Sequence, residues 1–252
     1  MKALILAAGR GSRMGSLTDS KPKCLVELYN KPLLQYQIES LLQAGVKDIG
    51  IVRGYCAKSL EPFVQKYHLH TYENPQWADT NMVYSLLCAK PYLLTAQECI
   101  ISYSDIFYQS SAILSLSQNS ADISILYDTQ WLALWRARFA NPLSDAESFR
   151  VKNGILEEIG NKVEDIRLIE GQYMGLLKFT NKGLKELFSL IDTLKGIDIA
   201  KIDSTSLLQE CLKYGFAITC VPYSGIWGEC DNQSDVALYE ALYPNLADIH
   251  TL

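Results

Sequence analysis

The sequence predicts an α/β fold, a largely parallel sheet covered by helices, and three observations predict it. Strand-like apolar runs alternate with helix-spaced ones through the first half of the chain, a glycine-rich loop follows the first run directly, and an acidic residue, Asp105, closes a later one. Open sheets of this kind bind ligands beyond the carboxyl ends of their strands. Residues 1–8 read as a buried strand. Residues 33–44 carry apolar side chains at helical spacing and stop at Gly45; 49–52 form the next strand, 60–67 a helix and 68–72 a short strand, giving a β-α-β-α-β order. Residues 81–94 read as one helix, 98–104 as a strand ending at Asp105, 110–118 as a helix and 123–127 as a strand.

The second half is less regular. Residues 149–159, centred on Asn153-Gly154, read as a hairpin, because that dipeptide suits a two-residue turn. Residues 171–179 and 217–222 read as strands, and 181–191, 205–214 and 233–243 as helices. No repeat, low-complexity segment or linker interrupts the order, so 1–252 is expected to form a single domain.

With 48% hydrophobic residues the chain can bury one sizeable core. A formal net charge of -5 without a basic block argues against non-specific binding to nucleic acid or to an acidic membrane surface. The apolar run 3–8 is too short for a membrane span and lacks a signal peptide's length and cleavage context, so a cytoplasmic location is expected. The seven cysteines are scattered with no C-x-x-C pair, which suits structural thiols in a reducing compartment. His68, His70 and His250 have no metal-ligand or triad spacing beyond the His68-Leu69-His70 pair, read here as strand or loop.

The chemistry concentrates in Leu6-Ala7-Ala8-Gly9-Arg10-Gly11-Ser12-Arg13-Met14, followed by Lys21-Pro22-Lys23. Gly9 and Gly11 let the backbone turn sharply so that its N–H groups converge on anionic oxygens, while Arg13 and Lys23 add positive charge. A dinucleotide loop needs a third glycine where Met14 stands, and Pro22 interrupts the helix it should open; a P-loop needs Gly-Lys-Ser/Thr where Gly15-Ser16-Leu17 stands. A strand-end Asp105 faces the same crevice, although such a residue also caps turns. Asp231, within Ile226-Trp227-Gly228-Glu229-Cys230-Asp231-Asn232, precedes a helix and equally suits an N-cap. As a pair, two carboxylates at the ends of separate strands can hold magnesium that bridges triphosphate oxygens.

The whole string resembles the signature of the sugar-phosphate and phosphocholine nucleotidyltransferases, L-A-A-G-x-G-[ST]-R-[ML] followed by K-P-K, and the resemblance covers nearly the whole chain. It implies a glycosyltransferase-A-like Rossmann fold with a mixed, mostly parallel central sheet between helices. It further implies nucleotidyl transfer, in which an acceptor phosphate or phosphonate oxygen attacks the α-phosphate of a nucleoside triphosphate and expels pyrophosphate. By the same resemblance Asp105 and Asp231 are the Mg2+ ligands, and Arg13 and Lys23 are the catalytic cations. Leu6, Ala7, Ala8, Gly9, Gly11, Ser12, Arg13 and Lys23 would bind the nucleotide. Asn81 and Ser85 would lie near the base, although Thr80 or Asn81 could simply cap the helix.

At the acceptor end, Trp131 and Trp135 stand at i and i+4 on one face if residues 131–138 are helical. Aromatic faces attract ammonium groups, and Asp145 or Glu147 would complement the charge. Tyr84, Arg138 and Tyr173 complete the expected acceptor site, while an aromatic pair equally suits a core or a homodimer interface. This block resembles the cytidylyltransferase branch, which uses CTP and such acceptors as phosphocholine, 2-aminoethylphosphonate and related amino-containing phosphates of surface polysaccharides. The sugar-1-phosphate branch usually carries P-x-G-[LT] where this chain has Asp79-Thr80-Asn81-Met82. The expectation is a magnesium-dependent cytidylyltransferase; a sugar-1-phosphate nucleotidyltransferase and a non-catalytic nucleotide-binding protein are the alternatives.

Overall fold

A computed structural model describes residues 1–246, so His250 lies outside the described residues. In chain order the strands are β1 (Lys2–Ala7), β2 (Glu27–Leu28), β3 (Lys31–Pro32), β4 (Asp48–Arg53), β5 (His70–Glu73), β6 (Glu98–Tyr103), β7 (Ile106–Tyr108), β8 (Ile123–Asp128), β9 (Glu147–Lys152), β10 (Ile155–Lys162), β11 (Gln172–Thr180), β12 (Thr219–Tyr223) and β13 (Trp227–Glu229). The helices are α1 (Leu33–Gln43), α2 (Glu61–Tyr67), α3 (Met82–Cys88), α4 (Lys90–Leu94), α5 (Ser110–Ser117), α6 (Trp131–Arg138), α7 (Asn181–Thr193), α8 (Ser204–Lys213) and α9 (Gln233–Leu242).

Nine strands form one sheet in the order β5-β4-β1-β6-β11-β8-β12-β10-β9. The β5-β4-β1-β6 half is parallel, as its β-α-β alternation requires. β11 then runs antiparallel to both β6 and β8, which makes the sheet mixed. β1 is buried along Ala3–Ala7 because it is central and covered on both faces, which explains its continuous apolar run. Asn153 and Gly154 turn the β9–β10 hairpin with φ of 52° and 78°, the left-handed pair expected of that dipeptide.

Two features depart from the sequence reading. The helix expected over 81–94 is two helices, α3 and α4, separated at Ala89. Pro91 lacks the N–H that a continuous helix would use there and instead occupies the first turn of α4. Unforeseen β7 pairs antiparallel with β13, aligning Glu229 with Ile106 and Gly228 with Phe107. Gly228 permits this approach: a Cβ would lie 2.6 Å from ring atoms of Phe107 and Tyr239. Buried Gln37 and Ser40 of α1 donate to the carbonyls of Ile106 and Tyr108, so the ribbon is anchored to the layer beneath it. All seven cysteines are free thiols. Among the described residues no helix is long and apolar enough to cross a membrane.

Candidate functional site

The site begins where β1 ends. Gly11 takes φ 72°, and a Cβ there would sit 2.6 Å, 2.7 Å and 2.8 Å from Cβ, Cδ and Cγ of Lys23. Glycine is therefore what lets the Lys23 stem run along the loop backbone. The Thr18 hydroxyl donates to the Gly11 carbonyl at 3.1 Å and ties the loop's return. Lys23 itself starts a short 3-10 turn and is buried.

The β7–β13 ribbon supplies the opposing charges. The Cys230 N–H donates to the Asp105 carbonyl at 2.9 Å, which extends the pairing and brings Asp105 beside Asp231. Lys23 Nζ reaches Asp105 Oδ2 at 2.8 Å and Asp231 Oδ1 at 2.6 Å. Arg13 Nη2 reaches the same Asp231 oxygen at 2.7 Å. Burial opposes the charge on Lys23, but Asp105 and Asp231 outweigh it and hold the ammonium above its ordinary value. Burial likewise works to raise Asp231, and Lys23, Arg13 and Arg138 outweigh it, keeping the carboxyl below the usual range.

Glu229 joins this centre: oxygens of Asp105, Glu229 and Asp231 lie within 4.8 Å of one another. Burial, with Asp231 and Asp105 as neighbours, pushes Glu229 up to about 8. Its presence was not among the expected site residues; the two-residue spacing Trp227, Glu229, Asp231 along a strand is the signal that would have found it. The donor set suits a hard divalent ion, because it is all oxygen and because Asp105 Oδ1 is buried without a hydrogen-bond partner.

Two cavities adjoin the loop. One, of about 80 Å³, is lined by Leu6, Ala8, Gly9, Asn81 and Ser85 of the expected nucleotide set, together with Asn74, Trp77, Thr80 and Met82. Buried Asn74 organises it, donating to Thr80 Oγ1 at 2.9 Å and Ser85 Oγ at 3.0 Å while accepting from the Gln76 N–H at 2.9 Å. Asn81 does cap α3, through the Met82 N–H at 2.8 Å, and lines the cavity as well. Ala7 is buried within β1, and exposed Ser12 lies further along the loop. Tyr84 lines neither cavity.

The second cavity, about 190 Å³, is lined by Arg13, Tyr103, Trp135, Asp145, Glu147, Tyr173, Glu229 and Asp231 among others. Burial pushes the carboxyls of Asp145 and Glu147 above their ordinary range, Arg138 opposing this at Asp145. Tyr103 and Tyr173 meet edge to face at 5.7 Å. A more voluminous cavity, about 560 Å³, is lined by α7 and residues 214–217 and holds none of these side chains.

Besides Tyr84, three acceptor residues sit differently from the sequence expectation. Trp131 is buried behind Trp135, edge-on at 6.0 Å, and does not line the cavity. Trp135 is surrounded by Trp131, by Trp227 at 6.2 Å and by the Arg138 guanidinium 5.3 Å from its centroid, while its Nε1–H donates to Asp145 Oδ2 at 3.0 Å. Trp135 thus braces a carboxylate, with Trp131 packed behind it, and the pair does not flank a ligand from two sides. The Arg138 side chain is fully buried beneath the carboxylates, at 3.5 Å from Glu229, 3.4 Å from Asp231 and 3.2 Å from Asp235. The physical reason is its position at the end of α6, which packs on α9, whose Asp235 is a buried capping residue.

Residues 3–161 match the profile of the MobA-like NTP transferase domain. Over 247 residues the chain is 37% identical to CTP:phosphoglutamine cytidylyltransferase of Campylobacter jejuni, covering 94% of this chain and 98% of that protein. It is 29% identical over 229 residues to choline-phosphate cytidylyltransferase of Streptococcus pneumoniae, covering 84% of this chain and 99% of the relative. The fold superposes on the inositol-1-phosphate CTP transferase from T. maritima with a TM-score of 0.80 at 20% identity, covering 98% of this chain and 95% of that one.

Proposed function

Because this chain belongs to the MobA-like NTP transferase family, we propose that it is a magnesium-dependent cytidylyltransferase moving CMP from CTP to a small amino-bearing phosphate or phosphonate. The observation that carries this reading is a single loop that lines both cavities, with Gly9 in the smaller and Arg13 in the larger, beside the ion-paired centre of Lys23, Asp105 and Asp231. A donor and an acceptor held in the two cavities would meet where the cations are. The relatives named above, which act with CTP on phosphorylated small molecules, support the choice of base.

In the reaction an acceptor oxygen forms a bond to the α-phosphorus as the bond from that phosphorus to the α,β-bridging oxygen breaks, and the electron pair leaves with pyrophosphate. The acceptor oxygen is already anionic, so no general base is required. What the chain must supply is orientation and positive charge between two anions that repel each other. Lys23 and Arg13 are the cations in place for that task. Backbone N–H groups of residues 9–13 would cradle phosphate oxygens, and the Asn74-organised cavity would hold the base. Asp105, Asp231 and Glu229 would hold magnesium, which when bound supplies further neutralisation of phosphate charge.

Asp145 and Glu147 add carboxylates to the larger cavity, which suits an acceptor that carries an ammonium group. A pyrophosphate-release screen crossing four nucleoside triphosphates with phosphocholine, 2-aminoethylphosphonate, amino-acid-derived phosphates and sugar 1-phosphates tests the reading. CTP with an amino-bearing acceptor should give the highest kcat/KM; best turnover on a sugar 1-phosphate would replace this function with that of an NDP-sugar synthase.

A further inference from the structure

Every carboxylate of the centre has a cation within the chain. Lys23 Nζ bridges Asp105 Oδ2 and Asp231 Oδ1 at 2.8 Å and 2.6 Å, Arg13 adds a contact to Asp231 at 2.7 Å, and Arg138 lies 3.5 Å from Glu229. A divalent ion would draw on these same three carboxylates, and it would have to sit beside a lysine ammonium. The Lys23 stem cannot easily withdraw, because Cβ, Cγ and Cδ are packed along Gly11. Its terminal ammonium can still turn toward an anion on the loop it follows. A polyphosphate on residues 9–13 would attract both Lys23 and Arg13, freeing Asp105 Oδ2 and Asp231 Oδ1, while Asp105 Oδ1 already lacks a partner.

We infer that Lys23 Nζ is an internal placeholder for the divalent ion, so that metal and polyphosphate bind with strong positive coupling and the nucleotide-free protein holds divalent cations weakly. The coupling follows from linkage: two ligands that each displace, or are favoured by displacing, the same ion pair must tighten one another. The inference rests on the proposed function only for the identity of the anion that draws Lys23 away. It adds to Lys23 a role that precedes catalysis, that of keeping a lone divalent ion from occupying the carboxylates before the phosphates arrive.

The test titrates Mn2+ into the purified full chain without nucleotide and reads free Mn2+ by electron paramagnetic resonance. Wild type should bind weakly, whereas Lys23→Met should bind one Mn2+ at least about tenfold more tightly. Lys23→Arg, which keeps the charge, should show no gain, and Lys23→Met with Asp105→Asn should lose it, which assigns the ion to this centre. Wild-type protein that binds Mn2+ as tightly as Lys23→Met would overturn the inference, as would a gain that survives Asp105→Asn. Should Lys23→Met fail to fold, Lys23→Gln, which retains a donor toward the aspartates, replaces it with the same expectations. A chain that turns over no CTP yet shows the Mn2+ gain would keep the placeholder and lose the proposed function; normal CTP turnover without the gain would do the reverse.

Discussion

Gly11→Ala is the perturbation whose consequences follow most directly from the geometry. At φ 72° an alanine is placed in the left-handed region, which costs about 1–2 kcal/mol. Its Cβ would also stand 2.6–2.8 Å from three carbons of the Lys23 stem. Those carbons lie near the backbone end of a side chain whose ammonium is tethered to two aspartates, so they cannot simply swing away. Overpacking of this kind costs roughly 1–3 kcal/mol. With about 3.5 kcal/mol as the centre of the combined range, a chain of this size should melt roughly 7–14 °C lower. Displacing the stem also moves Nζ off its 2.8 Å and 2.6 Å contacts, so kcat should fall on the order of 100-fold, as for loss of one transition-state donor. Differential scanning calorimetry and pyrophosphate release measured well below the melting temperature check the two parts separately. Gly9→Ala is the control: nothing lies within 4 Å of its Cβ, so Tm should hold, yet Gly9 lines the smaller cavity and the KM for CTP should rise. A Gly11→Ala protein with unchanged Tm and kcat would refute the reasoning, as would a Gly9→Ala protein destabilised to the same degree.

Asp105→Asn and Asp231→Asn should each reduce turnover to near background in an otherwise folded protein, measured by pyrophosphate release and circular dichroism together. Asp231 is held below the usual carboxylate range, so its contribution to stability is present above its unfolded value, about pH 4, and is lost as pH falls through the lower native value. Asp231→Asn should accordingly flatten the acid limb of a Tm-against-pH curve. Trp135→Phe removes the donor to Asp145 while keeping an aromatic ring, and acceptor KM should rise by a factor corresponding to about 0.5–1.5 kcal/mol with CTP KM unchanged. Trp131→Leu should instead lower Tm and leave acceptor KM alone; a raised acceptor KM at constant Tm would restore the two-tryptophan ligand box. Asn74→Ala leaves the hydroxyls of Thr80 and Ser85 without their donor and should weaken CTP binding, read by calorimetric titration, more than acceptor binding.

The parts of the fold legible in the sequence were those set by local periodicity and turn chemistry. The run after Met1, the spacing over 33–44 and Asn153-Gly154 each announce an element that the structure contains at nearly those bounds. The break at Pro91 was also written in the sequence, as a missing N–H, but the apolar spacing on both sides disguised it. β7 and β13 were not legible, because each is three residues long and owes its existence to a partner more than a hundred residues away. Glu229 was legible as a spacing with Asp231, but its approach to Asp105 depends on the same distant pairing. The sequence reading places Arg138 in the acceptor site, whereas α9 supplies Asp235 beside it and the side chain is buried there.

By itself the sequence determined the chemistry on offer: a glycine turn that tolerates a left-handed backbone, two cations close to it in the chain, and carboxylates placed at strand ends. Those are local properties, since backbone freedom and charge belong to individual residues. The tertiary structure alone decided which of them meet. Lys23 touches Asp105 across 82 residues and Asp231 across 208, and these contacts exist only because β13 pairs with β7 and Gly11 leaves room for the lysine stem. Trp135 lines the larger cavity as a brace for Asp145, held there by Trp227 and Arg138 packed against it. Side-chain partnership of this kind is a property of packing, which no spacing along one chain encodes.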